Sequence, residues 1–230
     1  MATTTLLRNI SGVDDVRAAL SNSTLRRLLS IGTNWTKVRV GIRWSILNTA
    51  ADITSAPFLA VGVCAGTANP VNNGSATTDH FLGVRTTTTT WQIKPGPYYV
   101  GDVTYSLRAS KRVGTTWTNT SGTNNLWYAW YVIPGQRQML FVYILKGSPN
   151  FTISVLSVST ISGTADVSQA DFFDKVVLAS PGNWNGHYLA TGNTVAVDEA
   201  TNGYLNAVNV AWHRSNPKVE ISDLAVVRLA

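Results

Sequence analysis

The chain has 230 residues, enough for one large domain, because all-β sandwiches and barrels reach this length without dividing. Asp, Glu, Lys and Arg make up only 13% of it, and it contains eight Trp and eight Tyr, which excludes the high charge and low aromatic content of a disordered protein. A single cysteine excludes a disulfide framework within the chain, and no apolar run reaches the roughly 18 residues of a membrane-spanning helix.

The net charge of +6 is unevenly distributed along the chain. Residues 1–43 carry seven basic against two acidic side chains, whereas residues 151–230 carry four basic against seven acidic ones. This imbalance favours pairing between neighbouring subunits or contact with an acidic partner, although an uneven solvated surface explains it equally well. The N-terminus lacks the pattern of a secretory signal, so we expect the chain to fold where it is synthesised.

Residues 1–32 are predicted to form a helical arm or cap. Ser11 and Asp14 resemble a helix start, and Gly32 would end a second helical turn. The apolar face of this segment would cover the rest of the protein or dock on another subunit. We therefore predict an assembly interface that consists of Leu20, Leu25, Arg26, Arg27, Leu28 and Leu29.

The clearest strand spans residues 37–46. Its even positions, from Val38 to Ile46, are apolar and point one way, whereas Lys37, Arg39 and Arg43 point the other way. This basic face could contact nucleic-acid phosphates, or it could discourage wrong pairing at an exposed sheet edge.

Further strands follow, separated by turn clusters rich in Gly, Pro, Asn and Ser. After Val155 the alternation slips by one residue, which indicates a β-bulge. Strands without intervening helices predict an all-β, antiparallel two-sheet sandwich or jelly roll over residues 33–230, with a short N-terminal helical segment before it. The remaining strand candidates span 58–65, 80–93, 98–108, 126–133, 137–146, 150–159, 175–179, 186–190, 194–197, 204–213 and 219–229.

The chain shows no residue arrangement typical of an enzyme or a zinc site. His80, His187 and His213 lie far apart, and the sequence lacks a P-loop, a dinucleotide fingerprint and a nucleophile elbow. Asp198 and Glu199 are the first carboxylates to consider in an enzyme, although a solvated loop is the simpler interpretation. We therefore expect no catalytic activity and no cofactor, and leave calcium binding open.

Two tryptophans lie among small polar residues in loop-like segments. Trp117 and Trp184 could each stack on a sugar, pack beneath its own loop or contact a neighbouring subunit. They are the candidate glycan contacts. Asn34-Trp-Thr36 is one of several matches to the glycosylation pattern, which a chain rich in Asn and Thr produces by chance.

The segments Tyr204–His213 and Val219–Leu229 resemble the closing strands of concanavalin A-like or laminin G-like jelly rolls. This resemblance covers only those two segments. It implies a two-sheet jelly roll, in a family whose members bind glycans, polymerise as structural modules or catalyse reactions. No ligand residue of the family maps onto this chain.

The overall composition resembles that of phage and small-virus virion proteins, with few Lys and Glu, many Thr, Asn and Trp, and one cysteine. This resemblance implies a self-associating structural subunit of a viral or phage particle, such as a capsid, decoration or tail component. We would then expect a homo-oligomer located in the virion and in contact with other particle proteins. The alternative function is that of a lectin-like glycan-binding module, for example in adhesion to a host surface.

Overall fold

Strands dominate the computed structural model of the protein. It describes residues 4–9, 18–21, 24–47, 59–65, 80–91, 103–113, 116–119, 129–132, 137–147, 150–158, 172, 189–196, 205–213 and 218–229, which contain fourteen strands. These are β1 (Thr4–Asn9), β2 (Ala18–Ser21), β3 (Thr24–Ser30), β4 (Lys37–Ile46), β5 (Leu59–Ala65), β6 (His80–Trp91), β7 (Val103–Val113), β8 (Thr116–Asn119), β9 (Ala129–Val132), β10 (Gln138–Leu145), β11 (Asn150–Val158), β12 (Leu189–Ala196), β13 (Ala207–His213) and β14 (Val219–Leu229).

The strands form two antiparallel sheets. The six-stranded sheet has the order β1-β14-β4-β10-β11-β12, and the eight-stranded sheet has the order β2-β3-β13-β5-β6-β7-β8, with β9 also paired to β7. One apolar cluster contains side chains from both sheets, so the sheets pack face to face as a sandwich. The predicted fold class is therefore confirmed for the part of the chain that the structure describes.

Strand β4 lies inside the six-stranded sheet, between β14 and β10. Its even-numbered apolar residues are fully buried in the cluster between the sheets, as the alternation predicts. Lys37, Arg39 and Arg43 lie on the opposite, outer face of the sheet and are half-buried. The predicted bounds of this strand are correct.

The predicted N-terminal helix is wrong for residues 18–21 and 24–30, which form β2 and β3. Leu25 and Leu29 pack towards the cluster between the sheets, whereas Leu28 packs on the outer face of the eight-stranded sheet. Because both faces of β3 carry apolar side chains, the sequence also fits a helical period. Residues 10–17, which include the predicted helix start, lie outside the described residues, and the prediction of a single domain over 33–230 stays a prediction.

Two glycines face each other near the centre of the eight-stranded sheet, on its outer face. Gly62 of β5 and Gly83 of β6 are direct cross-strand partners, and the ring of Phe81 lies over both. A Cβ atom at Gly62 would lie 2.3 Å from the carbonyl oxygen of Leu82. This close approach of two backbones explains why neither position carries a side chain.

The outer face of the six-stranded sheet is buried as well. The rings of Phe141 and Phe172 stack with their centroids 5.7 Å apart, and Met139 and Tyr143 on the same face of β10 are also buried. Chain segments therefore cover this sheet on both sides. Strand β10 consequently reads as a nearly continuous apolar run, which is typical of strands that are buried on both faces.

Most of the other predicted strands coincide with observed ones to within a few residues at each end. The predicted strands 186–190 and 194–197 correspond to the single strand β12, and 175–179 lies outside the described residues. The register between β11 and β12 shifts between Ile153 and Val155, next to the predicted bulge. Among the described residues, no helix is long and apolar enough to cross a membrane.

Candidate ligand-binding end of the sandwich

The predicted basic face exists, but two of its three cations have partners within the chain. The Arg43 guanidinium forms an ion pair with the fully buried carboxylate of Asp223, and the Arg39 guanidinium lies 5.4 Å from the ring centroid of Tyr143. Burial, followed by repulsion from Arg39, lowers the pKa of the Lys37 ammonium. The Arg43 charge is thus already paired with a carboxylate of the chain, and contact of this face with nucleic-acid phosphates stays a prediction.

The predicted assembly interface lies largely within the sandwich. Arg26, Arg27 and Leu29 are buried, and Leu25 and Leu28 are half-buried. This burial removes most of their surface from any contact with a second copy. The side chain of Leu20 lies outside the described residues, and the role of the segment in assembly stays a prediction.

Of the two predicted glycan contacts, Trp117 and Trp184, the structure describes only the backbone of Trp117. Trp117 belongs to β8, where its backbone pairs with Arg112 of β7, but its side chain is outside the described part of the structure. Trp184 lies outside the described residues altogether. Both stay predictions.

A short connection between the two sheets carries exposed polar side chains and is the stronger candidate site in the described part of the chain. Residues 31–36 link β3 of the eight-stranded sheet to β4 of the six-stranded sheet. They meet residues 205–206, which precede β13, and residue 146, which follows β10. We call residues 31–36, Lys146, Leu205, Asn206 and Arg228 the loop end.

Backbone hydrogen bonds fix the loop end to both sheets. The Ile31 N–H donates to the Asn206 carbonyl at 2.8 Å, and the Asn206 N–H donates to the Cys64 carbonyl at 3.0 Å. On the other side, the Lys146 N–H donates to the Thr36 carbonyl at 2.8 Å. A connection that is bonded in this way has little freedom to change shape.

Trp35 anchors the loop end in the core. Its side chain is only 2% exposed, and its indole Nε1–H donates to the Leu205 carbonyl at 2.8 Å. The indole also meets Phe151 edge to face, with a centroid distance of 6.0 Å. Both arrangements are favourable for a buried indole, because its single donor is satisfied and its ring is packed.

Two cations hold the exposed part of the loop. Lys146 Nζ lies 5.2 Å from the Trp35 ring centroid and donates to the Thr33 carbonyl at 3.3 Å, and Arg228 donates to the Ile31 carbonyl. Gly32 lies between those carbonyls with a φ of 67°, a conformation that glycine adopts without strain. The loop therefore presents a fixed shape to solvent.

The exposed groups of the loop end are hydroxyls and amides. Thr33, Asn34, Thr36 and Asn206 are all exposed. Hydroxyl and primary amide groups both donate and accept hydrogen bonds, as the hydroxyl groups of a sugar also do. The loop end thus offers several such groups on a rigid support.

Cations from three strand ends lie at this end of the six-stranded sheet. Lys37, at the start of β4, pairs by backbone with Leu145 and Leu229, the neighbours of Lys146 and Arg228 in the chain. Among the described side chains, both carboxylates belong to Glu220 and Asp223, which lie towards the other end of β14. Lys37 points to the outer face of the sheet, whereas Arg228 is in register with inward-facing Val38, so Lys37 and Arg228 lie on opposite faces.

A second polar group of residues lies at the opposite end of the six-stranded sheet. The ion pair of Arg43 with Asp223 lies beside a register shift in β14, and the Arg137 Nε donates to the Ser222 hydroxyl at 3.3 Å. Gln138 follows, with its side-chain amide buried. A single buried carboxylate that a guanidinium already neutralises is typical of a structural ion pair, so this group is the weaker candidate site.

Comparisons with known proteins identify no family. No family model matches the chain, and no curated protein matches it either. The similar solved structures include basic winged bean lectin with Tn-antigen (11% identity, TM-score 0.39, 98% of this chain and 92% of the lectin covered) and peanut lectin with a 9mer peptide (10%, 0.39, 99% and 92%). The exoplasmic/lumenal domain of VIP36 in its Ca²⁺/Man-bound form is similar at 8% identity and a TM-score of 0.41, with 100% of this chain and 82% of that chain covered.

Similarities at this level carry no argument about function, and the fold is established by the strand pairing alone. Neither the described residues nor the comparisons support a phage or viral origin, which stays a prediction. The site must therefore be judged from its own geometry.

The sequence contains a local pattern that could have indicated a surface loop at residues 32–36. Gly32-Thr-Asn-Trp-Thr36 places a tryptophan among small polar residues, the same pattern that singled out Trp117 and Trp184. The predicted helix assigned Gly32 to a helix end, and this hid the loop that follows. The contributions of Lys146 and Arg228 could not be predicted, because they depend on pairing between distant strands.

Proposed function

We propose that the protein is a glycan-binding module without catalytic activity and that the loop end is its binding site. The observation that carries the proposal is the rigid, exposed set of hydroxyl and amide groups above buried Trp35. Sugars offer many hydroxyl groups and little apolar surface, so a receptor needs several polar groups in fixed positions.

Rigidity supports this proposal on energetic grounds. A loop that is already ordered loses little conformational entropy when a ligand binds, so its hydrogen bonds contribute more of their free energy to affinity. The bonds that order the loop end involve mainly backbone groups and the side chains of Trp35, Lys146 and Arg228. The backbone that carries the exposed side chains of Thr33 and Asn34 is thus held in position by other residues.

The proposal is tested with Asn34→Ala, a change that removes an exposed amide from the loop. A glycan array would first identify a ligand, and titration calorimetry would then measure its affinity. We expect Asn34→Ala to weaken binding about fivefold, the equivalent of one hydrogen bond of about 1 kcal/mol.

The matched control is Glu220→Ala, an exposed polar residue near the other end of β14, which should bind with unchanged affinity. Trp117→Ala provides a second comparison. A large loss with Trp117→Ala and none with Asn34→Ala would place the site on β8 and overturn the assignment to the loop end. A complete absence of glycan binding would overturn the proposal itself.

Self-association as a particle subunit is the second candidate function. The charge imbalance between residues 1–43 and 151–230 favours it, because opposite charges on neighbouring copies attract. Light scattering on the full chain measures the mass in solution directly. A large assembly would support this function, whereas a monomer at high concentration would exclude a subunit that assembles by itself.

A further inference from the structure

We propose that Lys146 is a positioning residue of the loop end, and that its charge, together with that of Arg228, orders the loop for a ligand without the help of a metal ion. This inference rests on the proposed glycan-binding function and deepens it, because it states what fixes the site. Glycan affinity should then follow the charge at position 146 and should not depend on divalent cations.

Packing contributes little to the order of the exposed part of the loop. Gly32, Thr33 and Asn34 are all exposed, so they bury little apolar surface. Gly32 also has a φ of 67°, and glycine loses more conformational freedom on folding than any other residue. The order of these three residues therefore depends on bonds to their backbone.

Lys146 binds the loop on both sides of Asn34 and Trp35. Its backbone N–H donates to the Thr36 carbonyl at 2.8 Å, and its Nζ donates to the Thr33 carbonyl at 3.3 Å. Thr33 and Thr36 directly precede and follow the Asn34–Trp35 pair. One residue thus holds both ends of the segment that carries Asn34, the proposed ligand contact.

The side-chain bond of Lys146 adds a constraint that the loop does not supply by itself. The Thr33 carbonyl also accepts the Trp35 N–H at 3.1 Å. A bond between residues that are two apart closes a tight turn but does not fix the turn relative to the sheets. The bond from Lys146 does, because this residue directly follows β10 of the six-stranded sheet.

The charge of Lys146 contributes as well as its hydrogen bond. Its Nζ lies 5.2 Å from the centroid of the Trp35 ring, where the electrons of the ring attract a cation. Trp35 is itself fixed, because its indole donates to the Leu205 carbonyl in the core. An uncharged side chain of the same length would lose both the attraction to the ring and the bond to the loop.

Arg228 holds the loop on the other side of Gly32. Its guanidinium donates to the Ile31 carbonyl, and Arg228 belongs to β14. The loop continues into β4, which lies between β14 and β10 in the sheet. The two cations therefore reach the loop from the strands on either side of β4 and fix it at two separate points.

The same contacts do not fit a calcium site. Backbone carbonyl oxygens are common calcium ligands, but here the Ile31 and Thr33 carbonyls accept bonds from positively charged side chains. A divalent cation at either oxygen would be repelled by the guanidinium or the ammonium that already lies there. The two side chains supply the positive charge that orders this loop.

Amide hydrogen exchange of the full chain without ligand tests the ordering. The Trp35 amide is the reporter, because it bonds the carbonyl that Lys146 holds. We expect Lys146→Met, which removes the charge and keeps a long side chain, to speed exchange of this amide about tenfold. Lys146→Arg should exchange at nearly the native rate, because it keeps a cation above the ring.

Titration calorimetry with the glycan that the array selects then connects the order of the loop with binding. Lys146→Met should weaken binding about fivefold, and Lys146→Arg should restore it. Treatment of the native chain with a chelator, followed by addition of calcium chloride, should leave its affinity unchanged. Lys218→Met, which changes an exposed lysine before the other end of β14, is the matched control and should match the native chain in both measurements.

Three results would overturn the inference: native exchange of the Trp35 amide in Lys146→Met, equal losses in Lys146→Arg and Lys146→Met, or loss of glycan binding on chelation. The second would show that the shape of the side chain matters in place of its charge. If no glycan binds, the proposed function fails, while the exchange rates still decide whether Lys146 orders the loop. Lys146→Gln, which is also uncharged, replaces Lys146→Met in both measurements if that variant does not fold.

Discussion

Tyr143 is a buried polar residue whose ionisation is coupled to the stability of the folded protein. Its phenol lies on the outer face of the six-stranded sheet, only 3% exposed, and its hydroxyl has no hydrogen-bond partner among the described residues. Burial raises the pKa of Tyr143 to about 12, although the Arg39 charge opposes this effect. The folded protein therefore holds the phenol in its neutral form well into the alkaline range.

We expect Tyr143 to make the folded state sensitive to high pH. Below about pH 10 the phenol is neutral in both states, so its effect on stability is constant. Between about pH 10 and 12 the unfolded chain loses the proton while the folded chain keeps it, so the free energy of unfolding falls by roughly 2–3 kcal/mol. Denaturant unfolding of the native protein and Tyr143→Phe across this range measures the effect.

The comparison of the two proteins removes the contribution of other titrating groups. Tyr143→Phe should be as stable as the native protein or more stable at neutral pH, because it deletes a buried hydroxyl that has no partner in the described part of the chain. The difference in the free energy of unfolding, in favour of Tyr143→Phe, should then increase as the pH rises. Parallel stability profiles from pH 9 to 12 would show that Tyr143 is not responsible.

At the scale of elements, the glycine pair of β5 and β6 sets the spacing of the eight-stranded sheet. A methyl group at Gly62 would meet backbone atoms of Leu82 and Gly83 and the ring of Phe81, all closer than 3.0 Å. Backbone atoms cannot move aside without disturbing the strand pairing. The sheet therefore tolerates only glycine here.

We expect Gly62→Ala to destabilise the protein by about 3 kcal/mol or more, or to prevent folding. Gly32→Ala is the matched comparison, because its Cβ would have space, with the nearest atom, on Arg228, 3.6 Å away. Its left-handed backbone should cost only about 1 kcal/mol. Thermal and denaturant unfolding of both variants measures the difference, and equal losses would contradict the steric explanation.

Elements with one clear period were predictable from sequence. Strand β4 alternates between apolar and basic residues, and its bounds were correct because only one of its faces is strongly apolar. Strand β3 was misassigned because Leu25, Leu28 and Leu29 cover both of its faces and its two arginines are buried. Local periodicity cannot separate such a strand from a helix, since the decision depends on the neighbouring strand β13.

At the scale of the whole molecule, the described residues among the first 32 contribute strands to both sheets. β1 pairs with β14 in the six-stranded sheet, and β3 pairs with β13 along its full length. Leu29 and Ile31 also belong to the cluster between the sheets. These described strands therefore form part of the sandwich.

We expect deletion of residues 1–32 to abolish cooperative unfolding. Without them β14 and β13 each lose one neighbour, and Trp35 loses the connection that holds it. Circular dichroism with thermal unfolding on the full and truncated chains measures this outcome. A truncated chain that melts as sharply as the full one would restore the view of a dispensable arm.

The site was harder to predict than the fold, because its residues meet only through the arrangement of strands in the whole molecule. Trp35 could have been flagged from its polar neighbours, but Lys146 and Arg228 reach the loop end only because β14, β4 and β10 are adjacent. Those strands are far apart in the chain. No local sequence pattern encodes that adjacency, so a site assembled from strand ends remains invisible until the pairing is known.

The position of β14 between β1 and β4 has a consequence for how the protein is made. Thr4 pairs with Leu229, so the first described strand obtains its partner only when the last one has left the ribosome. Pairings between residues so distant in the chain give a high contact order and slow folding. Until β14 arrives, the edges of β1 and β4 are open to pairing with other chains. Chains that still lack β14 are therefore the form of this protein that is most exposed to aggregation during synthesis.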